Sequence, residues 1–241
     1  MNGRRIRKTM KLRAHWKAYL VGAVVLVAVL AIGGPFVYAR WIAPEAAAPL
    51  SVGPPPTGVS TAAPVDDLAN AFTVGPGSEA GYRVGELLSG QRVDAVGRTP
   101  DVTGSVQLAD TRVTAGEITV DIRTVTSDQS RRDDYFTANI METTRYPNAV
   151  FTLTRPVDLG AEFVRGAPVT VDATGTLTVK DVTREVTFPL TALRDGDTID
   201  VSGAVPVTFT DFGIEPPNFG NVVRVDPTGE IEFLLMLSPT S

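Results

Sequence analysis

The chain has 241 residues, 43% of them hydrophobic, with no cysteine and a single histidine, His15. These figures fit one or two globular domains and exclude collagen-like, coiled-coil and wholly disordered chains. They also remove disulfides, thiol nucleophiles and thiolate metal sites, and leave little basis for Ser-His-Asp catalysis, His-rich metal sites or histidine pH switches.

A net charge of −5 conceals an asymmetry. Residues 1–17 carry seven basic side chains and no acidic one, whereas from Asp66 onward there are 14 basic against 26 acidic side chains. That is the wrong sign for a nucleic-acid-binding domain.

The next 22 residues, Ala18 to Ala39, carry no charge and are rich in Val, Leu, Ala and Gly. As a helix they would span ~33 Å, enough for a ~30 Å hydrocarbon core. The preceding basic cluster predicts a cytoplasmic N-terminus and an extracytoplasmic C-terminal domain, hence a single-pass cell-membrane protein. The run exceeds the ~7–15 residues of a signal-peptide core. The small-residue candidate for cleavage, Ala46-Ala47-Ala48, is followed by Pro49. We therefore read an uncleaved anchor. Residues 40–65 form a Pro/Ala-rich linker: between Ala43 and Val65 lie six prolines and six alanines. Such a composition favours a semi-stiff, extended spacer.

Residues 66–241 read as one all-β domain. Val169, Val171, Ala173, Gly175, Leu177 and Val179 alternate with polar residues over eleven positions. Val186 to Ala192, Ile199 to Phe209 and Ile231 to Leu237 repeat the period of two, which marks half-buried strands. Earlier strands are expected at Ala71–Val74, Gly81–Leu88, Thr103–Leu108, Glu117–Ile122 and Ala149–Thr154. Arg194-Asp195-Gly196-Asp197 has the chemistry of a tight hairpin turn. One short helix is expected at Ser130, with Ser130 as its cap, Asp133 three residues on, and Phe136 and Ile140 on one face. Eight or nine such strands suit an antiparallel barrel or a sandwich.

No catalytic or metal constellation stands out. Asp195 to Asp200 fails as a calcium loop, because the twelfth position, where a Glu is needed, is Pro206. Gly75 to Gly81 lacks dinucleotide-loop spacing and reads as a turn. Asp133, Asp134 and Glu142 could be paired carboxylates for glycoside hydrolysis. Adjacent helical carboxylates diverge, however, and Arg131 and Arg132 are the expected ion-pair partners. The small residues Ala173, Gly175, Ala192 and Gly203 on the inward face admit two readings. Either they leave a cavity, or they relieve crowding at barrel corners.

The order of several short motifs resembles the YceI-like, polyisoprenoid-binding family with its lipocalin-like barrel. They are Phe72 to Ser78, Val125-Thr126-Ser127 running to Arg132-Asp133, Phe136, Tyr146-Pro147, and Val150-Phe151-Thr152. Gly175 to Thr178, Val182-Thr183-Arg184 and Asp211-Phe212-Gly213-Ile214 complete the series. The family's first turn often carries a His before the Ser, whereas here Gly77 precedes Ser78. Asp181 stands where relatives have Gly, and the apparent anchor is a further departure.

The resemblance implies an antiparallel barrel of about eight strands that holds an isoprenoid-type or similar amphiphilic lipid, without cofactor, metal or enzymatic activity. The implied lining is Val84, Ile118, Val120, Phe136, Phe151, Val171, Leu177, Phe188, Val201 and Phe233. A phosphorylated head group would call for an Arg at the mouth. The alternatives are an envelope interaction module with a filled barrel, and a carboxylate-dependent hydrolase. The expected partners are the lipid and the membrane, with a homodimer as a further option and no nucleic acid.

Overall fold

The computed structural model describes residues 46–53, 70–88, 90–220 and 223–240. The expected basic segment, the anchor at 18–39 and most of the linker lie outside these described residues. Among the described residues no helix is long and apolar enough to cross a membrane.

Thirteen strands follow in chain order: β1 (Ala71–Val74), β2 (Glu79–Leu88), β3 (Gln91–Thr99), β4 (Val102–Ala109), β5 (Arg112–Asp121) and β6 (Thr126–Ser127). Helix α1 (Ser130–Tyr135) comes next and runs into a π-helical turn, Phe136–Ile140. Then come β7 (Asn148–Leu153), β8 (Val157–Asp158), helix α2 (Gly160–Val164), β9 (Val169–Val179), β10 (Val182–Asp195), β11 (Thr198–Thr208), β12 (Val223–Val225) and β13 (Thr228–Pro239). Eight of these close a ring of antiparallel neighbours, β1-β4-β5-β7-β9-β10-β11-β13, with β13 returning to β1 at Val74↔Leu237. The β2–β3 hairpin pairs with the first half of β13 (Glu230↔Arg83 to Leu234↔Glu79) and extends one rim.

The alternation read from the sequence becomes the two faces of this barrel. On β9 and β10 the outward threonines face each other in register. They bond as Thr170–Thr191, Thr174–Thr187 and Thr178–Thr183 at 3.0, 2.9 and 2.8 Å. Their inward neighbours Ala173, Leu177 and Phe188 are buried. The β9–β10 hairpin turns through Lys180 (φ 50°) and Asp181 (φ 59°). Two left-handed residues in succession are what a type I′ turn demands, and Asp is among the few non-glycine residues that accept this backbone.

Three expectations are corrected. Strand β3 carries no alternation of large apolar residues, because its inward positions are Val93, Ala95, Gly97 and Thr99; small residues there hide the period. Ser130 is the first residue of α1 and not its cap. The local bonding runs the other way: the Asp133 carboxylate accepts from the Ser127 amide (2.9 Å) and hydroxyl (2.6 Å), tying α1 to β6. A second short helix, α2, also forms and carries the fully buried Phe163 into the core.

Eight residues of the stretch read as a spacer lie against the barrel's outer wall. The Arg83 guanidinium donates to the Ala47 carbonyl at 2.6 Å, and Arg98 donates to that of Ala48. The Val52 amide donates to Ser202 Oγ at 3.1 Å. Both arginines converge on Glu232, a carboxylate on the outward face of β13 that is nonetheless only 2% exposed.

Candidate functional site

The barrel interior is not filled. It holds a lower chamber of about 150 Å³ and an upper one of about 460 Å³ that opens at one end. Ala80, Val120, Ala149 and Ile231 line both, so they mark the level where the chambers meet. The residues lining the lower chamber are all buried or half-buried, so that end is the closed one, whereas the upper chamber is lined in part by the exposed Tyr135 and Phe219.

The lower chamber is lined by aliphatic and aromatic side chains together with Gly116. Its centre is a chain of edge-to-face rings, Phe151–Phe188 at 5.4 Å and Phe188–Phe233 at 5.8 Å. These rings explain the inward glycines. A Cβ on Gly175 would collide with the Phe151 ring, and one on Gly203 would lie 2.7 Å from Phe233 Cζ. Gly97 stands in the same relation to Tyr82. The glycines therefore make room for aromatic rings, not directly for a ligand, and the lower chamber is what those rings leave over.

The upper chamber is built mainly by the inward residues of β2 (Ala80, Tyr82, Val84, Glu86, Leu88), by α1 and its π turn, and by the loop after β11. The π turn places Phe136 and Ile140 together on the cavity wall. Phe136 stacks on Tyr82 with centroids 5.0 Å apart. Burial pushes the Tyr82 phenol up to about 12, against the opposing pull of Arg132. It is therefore a neutral hydroxyl at the wall of the chamber. At the rim, Glu86 (7% exposed) is paired with Arg132 at 3.0 Å. Arg132 also donates to Asp128. Arg131 and Glu230 are the other charged residues of the lining.

Nine of the ten residues expected to line the interior do so. Val84 and Phe136 face the upper chamber, Val120 faces both, and Ile118, Phe151, Leu177, Phe188, Val201 and Phe233 face the lower. Val171 is not brought to either; it is half-buried and packs against the core. Sequence reasoning missed Tyr82, Glu86 and Arg132, though all but Arg132 follow from the period of two along β2. It also missed the apolar loop Phe212, Ile214, Pro216, Pro217 and Phe219, whose composition is unusual for a solvent-exposed connection.

Of the carboxylates weighed for hydrolysis, Asp133 and Glu142 are engaged apart from each other. Asp133 is held by Ser127, while Glu142 pairs with Lys180 at 2.7 Å. The expected partners were Arg131 and Arg132, and Arg132 instead serves Glu86 and Asp128. Among the described residues no group of three or more His, Cys, Asp or Glu side chains could hold a metal ion.

Residues 76–236 match the family model of the YceI-like domain. The chain belongs to the YceI-like family. Two solved structures share the barrel. A polyisoprenoid-binding domain from Saccharophagus degradans, implicated in plant cell wall breakdown, has 18% identity and a TM-score of 0.58; the match covers 71% of this chain and 99% of that one. Burkholderia cenocepacia BcnA has 18% identity and a TM-score of 0.54, covering 66% of this chain and 95% of that one. At such identity the likeness is one of fold. No curated protein matches the chain.

Proposed function

We propose that this YceI-like protein is a membrane-tethered, extracytoplasmic carrier that holds an isoprenoid-type lipid in its barrel for transport or sequestration. The observation that carries the proposal is the pair of adjoining, mainly apolar chambers that share Ala80, Val120, Ala149 and Ile231 as wall residues. A five-carbon prenyl unit moved from water into such walls gains roughly 4 kcal/mol at ~0.8 kcal/mol per methylene. Three or four units then offset an association cost of order 4–15 kcal/mol and leave useful affinity without any specific side-chain chemistry. The rim offers hydrogen-bonding groups for a head group, with Arg132 engaged by Glu86 and Asp128 and the exposed Arg131 beside it in sequence. The interaction-module reading presupposes a filled barrel, and the two chambers speak against it.

Tethering and topology rest on the sequence: the apolar run at 18–39 and the basic cluster before it place the barrel outside the cell membrane, N-terminus inside. Native mass spectrometry and lipid extraction of the full chain purified in detergent test the cargo. A stoichiometric prenyl-lipid adduct that is lost on Ala149→Trp, which fills the junction of the chambers, is the expected result. An adduct-free mass after incubation with polyprenyl phosphates and prenylquinones would overturn the proposal, provided the barrel is folded by circular dichroism.

A further inference from the structure

We propose that the open mouth of the barrel is held against the lipid bilayer, fastened by the 46–53 segment and seated on an apolar rim. The inference deepens the carrier reading and rests on its anchor at 18–39.

The first observation is where exposed apolar surface lies. Among the described residues the large hydrophobic side chains left exposed are Leu87, Tyr135 and Phe219. All three are at the mouth. Tyr135 and Phe219 line the upper chamber and meet edge to face at 5.6 Å, while Leu87 is at the end of β2 beside the lining residue Leu88. In register, Leu87 sits between Arg92 and Arg224. Exposed aromatic and aliphatic side chains flanked by arginines match the membrane interface, where amphipathic rings sit at head-group depth and basic groups meet anionic lipid.

The second observation is the direction of the docked segment. Ala47 is gripped by Arg83, which lies between Tyr82 and Val84, two residues of the upper chamber. Val52 is gripped by Ser202, next to Val201 of the lower chamber. The segment therefore enters on the mouth side and runs toward the closed end. Its fastening is sturdy for an outer wall: Glu232 holds Arg98 at 2.9 Å and also pairs with Arg83, which pre-positions both guanidinium groups to receive the Ala47 and Ala48 carbonyls.

Length then decides what this fastening does. Without it, the thirty residues from 40 to 69 would separate anchor and β1, a reach of up to ~100 Å at ~3.4 Å per residue. With it, only residues 40–45 span the gap, a reach of about 20 Å. A barrel with that freedom cannot turn its mouth far from the membrane surface, and the apolar rim is the part that arrives there. A prenyl chain could then pass between bilayer and upper chamber with little exposure to water.

The natural absence of cysteine allows a clean test on the full chain in nanodiscs that contain a spin-labelled lipid head group. A fluorophore on Glu215→Cys reports the mouth, and one on Asp197→Cys, in the β10–β11 turn, reports the closed end. The expected result is quenching at least fivefold stronger at the mouth than at the closed end. Replacing residues 46–53 by a Gly/Ser segment of equal length touches no barrel residue and should bring that ratio close to one. Leu87→Ser with Tyr135→Ser and Phe219→Ser should lower it as well. Equal quenching of the two probes in the unaltered chain, or a ratio insensitive to the Gly/Ser replacement, would overturn the inference. A chain that fails to enter nanodiscs would overturn it through the anchor. A mouth ratio that stays high in a chain yielding no prenyl lipid would instead sink the cargo reading and leave this one standing.

Discussion

Gly203→Ala sets two physical effects of opposite sign against each other. Relieving glycine of its backbone freedom in a strand normally stabilises by about 0.5–1 kcal/mol, and Gly203 is not in the left-handed region where a side chain would be strained. Against this stands the Phe233 ring, with Cζ 2.7 Å and Cε1 3.0 Å from the new methyl group, and the Pro189 carbonyl oxygen at 3.1 Å. The ring can swing into the lower chamber, but the carbonyl is fixed by the sheet. Overpacking of this kind costs about 1–3 kcal/mol, so the net effect should be a loss of about 1–2 kcal/mol. For a domain of this size each kcal/mol moves the melting temperature by ~2–4 °C, giving a drop of roughly 2–8 °C. Thermal and urea unfolding of Gly203→Ala, Phe233→Leu and the double variant form a cycle. If glycine is there to admit the ring, the pair should be less destabilised than the sum of the singles by ~0.5 kcal/mol or more. A stabilised Gly203→Ala, or strict additivity, would refute the account of the inward glycines.

Two further outcomes follow from titrating groups. Because burial raises the Tyr82 phenol to about 12, the folded protein keeps a proton that the unfolded chain releases near pH 10, so stability should hold up to about pH 10 and fall by up to about 2–3 kcal/mol toward pH 12. Urea midpoints measured across that window should show a shallower fall in Tyr82→Phe; identical slopes in both proteins would contradict it. Burial, and then the nearby Asp195, also raise the Asp200 carboxyl above its ordinary range, so its ionised form costs stability at neutral pH. Asp200→Asn should therefore be the more stable protein at pH 7, with the advantage vanishing once the pH falls below the ordinary carboxylate range of ~4. An advantage that persists unchanged into acid would mean that the carboxylate charge is not its source.

The fold was legible in the sequence wherever a strand has one large apolar face and one polar face. Strands β9, β10, β11 and β13 announce themselves in this way, and β1 begins and ends where its alternation does. Strand β3 was not legible, because three of its inward residues are the small Ala95, Gly97 and Thr99, with Gly97 leaving room for the Tyr82 ring. Inward position along the strands puts eight of the expected residues on the chamber walls by parity alone, and the ninth, Phe136, comes from the π turn. Val171 has the right parity but packs into the core, although its register partner Leu190 lines the lower chamber, so parity alone does not tell a wall residue from a filled position. The rim was hidden for a related reason. Glu86 and Arg132 meet from elements 46 residues apart, and nothing local in either segment signals the other. The inward glycines were read as an even choice between cavity and relief of crowding. The answer lay in which ring on a neighbouring strand faces each one, which is a matter of register.

On the proposed carrier reading, the two chambers would divide recognition between head and tail. At the rim Arg132 is already paired with Glu86 and Asp128, so a head group competes for those bonds, while the exposed Arg131 is the lining cation with no ion pair of its own among the described residues. The affinity then has to come mainly from the tail. Each prenyl unit that is fully enclosed adds roughly 4 kcal/mol before ordering costs, close to a thousandfold in affinity, whereas a unit left outside the walls adds little. Affinity should thus rise in steep steps with chain length and level off once the tail reaches the Phe151–Phe188–Phe233 rings. Those rings are held in place by the glycines opposite them, so chain-length preference in this barrel depends on Gly175 and Gly203 without either residue touching the ligand.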